Sequence, residues 1–205
     1  MVTEDMFEIV DFAPINPISK VRGWDLAVSI PNEANNFKCD HTAGVLMSKD
    51  AFGNFYIEDV VRFQKQIDGV LKGIKDTAWS DGLDIMQILP KDPGQAGVVA
   101  NKFYTTWLAE HGVSTRTDGV SATANKATRF GPFASVAANK SVKLVNGPWI
   151  REWLDEVCFF SGARGETDDQ ADATSTAFNQ LSRQCVIPVF SIPSNFTQPS
   201  PIPTI

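Results

Sequence analysis

The sequence predicts an α/β fold: a mixed sheet, made of an antiparallel three-strand meander followed by parallel strands, flanked by helices. Three observations predict it. Between residues 21 and 63, apolar residues alternate or run in short blocks separated by turn residues, which is the pattern of strands. From Ile67 the apolar period becomes helical, and from there to residue 183 strand-like and helical segments alternate, the order expected of strands joined by helical crossovers.

Taken in order, Val21 to Ile30 reads as the first strand, and residues 31 to 39 as a polar loop. Thr42 to Ser48 is the second strand and Phe55 to Phe63 the third, with Asp50, Gly53 and Asn54 supplying turn chemistry between them. Ile67, Val70, Leu71, Ile74 and Ala78 mark a helix that stops at Ser80-Asp81-Gly82. Leu83 to Leu89, bounded by Gly82 and Pro90, has the continuous apolar run of a buried strand. A second helix is expected from Gln95 to Glu110, with Val98, Val99, Phe103, Trp107 and Leu108 along its inner side, followed by a short strand over Val113 to Thr115. Asn125 to Ala138 reads as a helix, Val142 to Val145 as a strand, and Pro148 opens a helix that runs to Val157. The last helix is expected from about Asp168 to Arg183, after a polar loop over Gly162 to Thr167. Residues 1–20 read as an irregular lead-in, 21–187 as one domain and 188–205 as a Pro-rich extended tail. This order of elements suits a ribonuclease H-like architecture.

At 205 residues, 43% hydrophobic and 20% charged, the chain can bury one good-sized core. No apolar run is long enough to span a bilayer, and acidic residues precede any basic one at the start, so neither a membrane protein nor a secretory leader is expected. An intracellular protein is the expectation. The three cysteines are odd in number and widely spaced, and read as apolar side chains rather than a disulfide framework or zinc site. A net charge of −6 argues against coating nucleic acid by bulk charge, although bound divalent ions would offset acidic residues locally.

The residue that least fits its surroundings is Asp25, in the middle of the apolar run "RGWDLAVS". A carboxylate in such a strand is costly unless it is paired, hydrogen-bonded or bound to a cation. Two other acidic positions fall where they could meet it: Asp92, just past the fourth strand in "ILPKDPGQAG", and Asp168, Asp169 and Asp172, which open the last helix in "TDDQADATS". In sheets of this kind ligands bind in the crevice beyond the strand ends. Asp168 and Asp172 lie four apart and Asp169 and Asp172 three apart, so they share a helical face and would repel one another unless cations sat between them. Magnesium or manganese takes hard oxygen ligands, and two such ions roughly 4 Å apart can stabilise both oxygens of a phosphodiester cleavage. Each feature has an ordinary alternative: acidic residues complement a helix N-terminus, Asp before Pro-Gly is turn chemistry, and Asp25 could pair with a core Arg. Their combination in this order is what points to a site.

Together these segments resemble the nuclease domain of the large terminase subunit of tailed bacteriophages. "RGWDLA" is similar to that family's first acidic strand, "CDHTAGVLM" and "GNFYIEDVVRFQ" to its second and third strands, and "LPKDPGQAG" to the segment that carries its second acid. "NKATRFGPFASVAANKSVKLVNGPW" resembles its basic helix and strand, and "DDQADATSTAFNQL" its closing acidic helix. The resemblance implies a two-metal endodeoxyribonuclease that cuts concatemeric viral DNA in the infected bacterial cytoplasm. Asp25, Asp92 and Asp169 would be its catalytic metal ligands for two Mg2+ or Mn2+ ions, with Asp172 and Asp168 completing the site and Asp40 in a supporting role. Lys126, Arg129, Lys140 and Lys143 are candidates for phosphate contacts, with a solvated basic face as the competing reading, above all for Lys140 and Lys143. His41 and His111, beside a strand start and a helix stop, are set aside from the chemistry. "GQAG" is not followed by Lys-Ser/Thr and is no phosphate-binding loop, so the family's ATPase domain is not expected within these residues. That ATPase, the small terminase subunit and the portal are the implied partners besides double-stranded DNA. The alternatives are another nuclease of the same architecture, such as a Holliday-junction resolvase, or a non-catalytic DNA- or portal-binding module.

Overall fold

Short alternating segments at the start of the chain and short apolar runs further on assemble, in the computed structural model, into a single mixed sheet. The structure describes residues 1–27, 40–91, 95–118, 125–163 and 165–183. Among them seven strands pair: β1 (Glu8–Val10), β2 (Ser19–Asp25), β3 (Thr42–Lys49), β4 (Phe55–Phe63), β5 (Met86–Leu89), β6 (Thr115–Thr117) and β7 (Val142–Val145). Their order across the sheet is β1-β7-β4-β3-β2-β5-β6. β2, β3 and β4 form the expected antiparallel meander, while β5 and β6 continue it in parallel beyond β2, and β7 and β1 beyond β4. Five helices flank it: α1 (Ile67–Asp81), α2 (Gln95–Glu110), α3 (Lys126–Ala138), α4 (Ile150–Phe159) and α5 (Asp169–Arg183).

Several boundaries differ from the sequence reading, each for a local reason. The lead-in contains β1, held at the sheet edge by pairing Glu8, Ile9 and Val10 with Lys143, Leu144 and Val145; three residues are too few to show a period. The first strand ends at Asp25, not Ile30: just beyond it the Thr42 hydroxyl bonds both the N–H and the carbonyl of Ala27, at 3.1 and 2.8 Å, in place of a strand ladder. Gly82, with φ 108°, and an Ile85-to-Gly82 backbone bond turn the chain before β5, so that strand starts at Met86. Val113 donates to the Leu108 carbonyl and closes α2, which moves β6 on to Thr115–Thr117. α2 packs through Tyr104, Trp107 and Leu108, whereas Val98, Val99 and Phe103, expected on its inner side, are exposed. The tail from residue 188 lies outside the described residues.

The two faces of the sheet carry separate cores. On one, Trp24 and Leu89 pack with Val70, Leu71 and Ile74 of α1 and Leu108 of α2. Here the fully buried Arg22 of β2 is held by Asp81 and Asp59, all at 2.7 Å, and by the Gly44 carbonyl at 2.8 Å. On the other face, Val21, Val45, Ile57 and Ile88 pack under Phe130 and Phe133 of α3, Trp153 of α4 and the small residues of α5.

α5 is buried on all sides from Asp169 to Phe178, which suits its Ala-, Ser- and Thr-rich sequence. Two of its buried hydroxyls are satisfied within the helix or by α4: Thr174 donates to the Gln170 carbonyl and accepts from the Trp153 indole, and Ser175 donates to the Ala171 carbonyl, whereas the Thr176 hydroxyl is buried without a partner. The helix lies directly on β2 because position 23 has no side chain. A Cβ on Gly23 would stand 2.7 Å from the Ala173 carbonyl oxygen and 2.8 Å from the Ala177 Cα, closer than backbone atoms allow. Gly23→Ala is therefore expected to force α5 off the sheet and to cost about 2–3 kcal/mol or more, read as a lowered urea midpoint.

Candidate active site

Side chains two apart on a strand share a face, so Asp25 points to the same side as Gly23, toward α5. The first turn of α5 brings Asp169 and Asp172 to that place, with Asp168 immediately before the helix; the Asp172 N–H donates to the Asp168 carbonyl at 2.8 Å. What fixes this turn is a carboxylate from another helix. Glu156 of α4 accepts from the Gln170 N–H at 2.6 Å and the Ala171 N–H at 3.2 Å, satisfying donors that a helix start leaves open, and from the Gln170 amide at 2.8 Å. Burial raises the pKa of Glu156, against the hydrogen bonds that favour its charge.

Electrostatically the site is a knot of carboxylates threaded by three cations. Burial, then the charges of Asp172 and Asp169, push the pKa of Asp25 well above the ordinary carboxylate range; Lys126 and Arg129 oppose the shift. The Lys126 ammonium lies 2.6 Å from Asp168 and 2.9 Å from Asp172, and Arg129 lies 3.5 Å from Asp172. Burial works against the charge of Lys126, yet the two carboxylates hold its pKa above the ordinary value. On the other side Arg62 lies 3.3 Å from Asp169, 2.6 Å from Glu152 and 4.0 Å from Glu156. His41 Nδ1 is 3.5 Å from Asp169 and 3.0 Å from Arg62, and burial together with Arg62 lowers its pKa. Beside Lys126 and Asp168 runs an open cleft of about 480 Å³, whose walls also include Asp40, Asn125 and Glu166.

The model of the terminase RNaseH-like domain matches residues 22–181, a span that runs from β2 through α5 and includes every acid of this site. The chain belongs to that family. Solved structures agree in fold. The large terminase nuclease of thermophilic phage G20c, with bound zinc, superposes with a TM-score of 0.59 at 14% identity, over 86% of this chain and 95% of the other. The human cytomegalovirus terminase nuclease domain, manganese-soaked and inhibitor-bound, gives 0.62 at 13% identity over 88% and 94%. The nuclease domain of the Thermus phage P74-26 large terminase gives 0.59 at 12% over 88% and 94%. No curated protein matches the chain.

Within this terminase domain the structure gathers Asp25, Asp168, Asp169 and Asp172 with Lys126 and Arg129. Asp92 lies outside the described residues; β5, which precedes it, runs beside β2 with Ile88 opposite Gly23. Lys140 and Lys143 sit elsewhere. Lys143 pairs in register with Tyr56, at the end of β4 remote from Arg62, and its ammonium is taken up by Glu8; Lys140 occupies a left-handed turn, φ 56°, before β7. The core Arg that could have paired with Asp25 is spent on Asp59 and Asp81 across the sheet. Sequence reasoning missed Arg62 and Glu156, and it set aside His41, which the structure brings beside Asp169. The signal for Arg62 is the same as for Asp25, a charge near the end of an apolar strand, and the register places both in one cross-strand row, Asp25–Ala43–Arg62.

Among the described residues no three His, Cys, Asp or Glu side chains are set together to hold a metal ion, because Asp168 and Asp172 turn to Lys126 and Asp169 to Arg62. The donor set nevertheless fits a hard divalent cation: it is all carboxylate oxygen, and Asp172 Oδ1 is buried without a hydrogen bond. The raised pKa of Asp25 has a signed consequence. The folded state holds this proton more tightly than the unfolded one, so the acid's cost is absent below its ordinary pKa, grows as pH rises from there towards the raised value, and is constant above it. Asp25→Asn is expected to raise the melting temperature in EDTA at pH 8 by about 2–4 °C, the equivalent of roughly 1 kcal/mol, and to have little effect at acid pH below the ordinary carboxylate pKa.

Proposed function

We propose that this domain is a metal-dependent endonuclease that cuts double-stranded viral DNA during genome packaging. The observation that carries the reading is the convergence of Asp25, from the end of β2, with Asp169 and Asp172, from the first turn of α5. Family membership supports it, and so do the ions in the neighbours: zinc, magnesium and cobalt bound to the G20c nuclease, and manganese soaked into the cytomegalovirus domain.

Asp25, Asp92 and Asp169 would hold the ions, with Asp172 and Asp168 completing the set. Two divalent ions held there would supply Lewis-acid chemistry, activating the attacking water and neutralising charge on the leaving 3′ oxygen. The chain's own residues do the positioning. Glu156 fixes the first turn of α5, Arg62 orients the Asp169 carboxylate, and burial of the acid cluster keeps its electrostatic interactions strong. Lys126 and Arg129 stand beside the acids, where a phosphate of the bound strand would come; Lys91 and Lys102 line a second groove, of about 340 Å³, beyond the end of β5. The terminase ATPase, small subunit and portal, in the cytoplasm of the infected cell, are the partners this function requires. No helix among the described residues is long and apolar enough to cross a membrane.

Plasmid nicking and linearisation test the reading. Cutting is expected with magnesium or manganese and not with EDTA, and Asp25→Ala and Asp169→Ala should each slow it at least ~100-fold, as loss of several kcal/mol of transition-state stabilisation dictates. Metal-independent cutting, or undiminished cutting by both variants, would sink it.

A further inference from the structure

Lys126 stands in an unusual place for a cation. It is the first residue of α3, where the helix dipole disfavours positive charge, and the helix already has a cap, the Asn125 side chain accepting from the Ala127 N–H at 3.0 Å. Its ammonium instead reaches across to α5 and bridges Asp168 and Asp172, a pair one helical turn apart that would otherwise repel. A lysine ammonium is a compact point charge with several donors on a flexible stem, which makes it the side chain closest to a small cation.

We propose that Lys126 is the built-in counter-cation of the acid cluster: it holds Asp168 and Asp172 in the metal-free protein, competes with a divalent ion for their oxygens, and swings out when the ion binds. This rests on reading the site as a metal-dependent nuclease. Two observations single out Lys126 rather than its neighbour. Its side chain is 44% exposed whereas that of Arg129 is 9% exposed, so only the lysine has solvent to move into. The space it would enter is the open cleft between Asp40, Gly162 and Glu166, which Lys126 itself lines.

Mn2+ binding by calorimetry, on wild type, Lys126→Met and Lys126→Arg, tests the proposal alongside thermal unfolding in EDTA. Removing the competing charge should tighten Mn2+ binding about tenfold or more in Lys126→Met while lowering its melting temperature in EDTA; Lys126→Arg, which keeps the charge, should stay within about threefold of wild type. Equal or weaker binding by Lys126→Met overturns the lysine's role alone, whereas no binding by any of the three proteins overturns the nuclease reading and this one with it. A measurement on the unaltered protein stands even if Lys126→Met does not fold. The Lys126 ammonium resonance, protected by its two carboxylates in EDTA, should be lost on saturation with Mg2+; its persistence while other resonances titrate overturns the proposal.

Discussion

The contact on which the rest depends is the approach of a helix to a strand with nothing between them. α5 can lie against β2 only because Gly23 has no Cβ and because Ala173 and Ala177 face it. That proximity carries the first turn of the helix to the end of the strand and sets Asp169 and Asp172 over Asp25. A larger residue at any of these positions would lift the helix, and with it Asp169 and Asp172, away from Asp25. The cost of such close backbone packing is a helix buried on all sides from Asp169 to Phe178 with polar side chains, offset in part by internal hydroxyl bonds and by Trp153.

Holding several carboxylates together has an electrostatic cost that the fold meets in two ways. Three cations from two elements, Arg62 of β4 and Lys126 and Arg129 of α3, divide the acids among them. Asp25 is left in the middle, where burial and then the charges of Asp172 and Asp169 push its carboxyl well above the ordinary carboxylate range. The same residue type one strand face away illustrates the opposite solution: Asp81 and Asp59 share the buried Arg22, on the other side of the sheet from the acid cluster. Pairing on one face stabilises the sheet; incomplete pairing on the other leaves oxygen atoms for something else to bind.

Much of this was legible along the chain. The meander, the change to helical period at Ile67 and the crossovers that follow all appear where their apolar patterns place them, because β3, β4, α1 and α5 are long enough for a period to be read. The exceptions are short or capped by side chains. β1 has only three residues and draws its stability from β7, and β6 is displaced by the backbone bond from Val113 to Leu108. The inner side of α2 was misjudged because half of its apolar residues belong to an exposed surface. Asp25, Asp169 and Asp172 were legible for a different reason: a charge inside an apolar strand, and charges at helical spacing, are local anomalies that need no neighbour to be noticed.

The sequence by itself determined the type and order of the elements and which acids are out of place, since periodicity and misplaced charge are properties of adjacent residues. Only the tertiary structure decided their partners. Arg62 meets Asp169 across 107 residues, Lys126 meets Asp168 across 42, and Glu156 caps α5 from another helix. Such pairings follow from strand register and from how closely two elements pack, and neither is written in the spacing of the residues that make them.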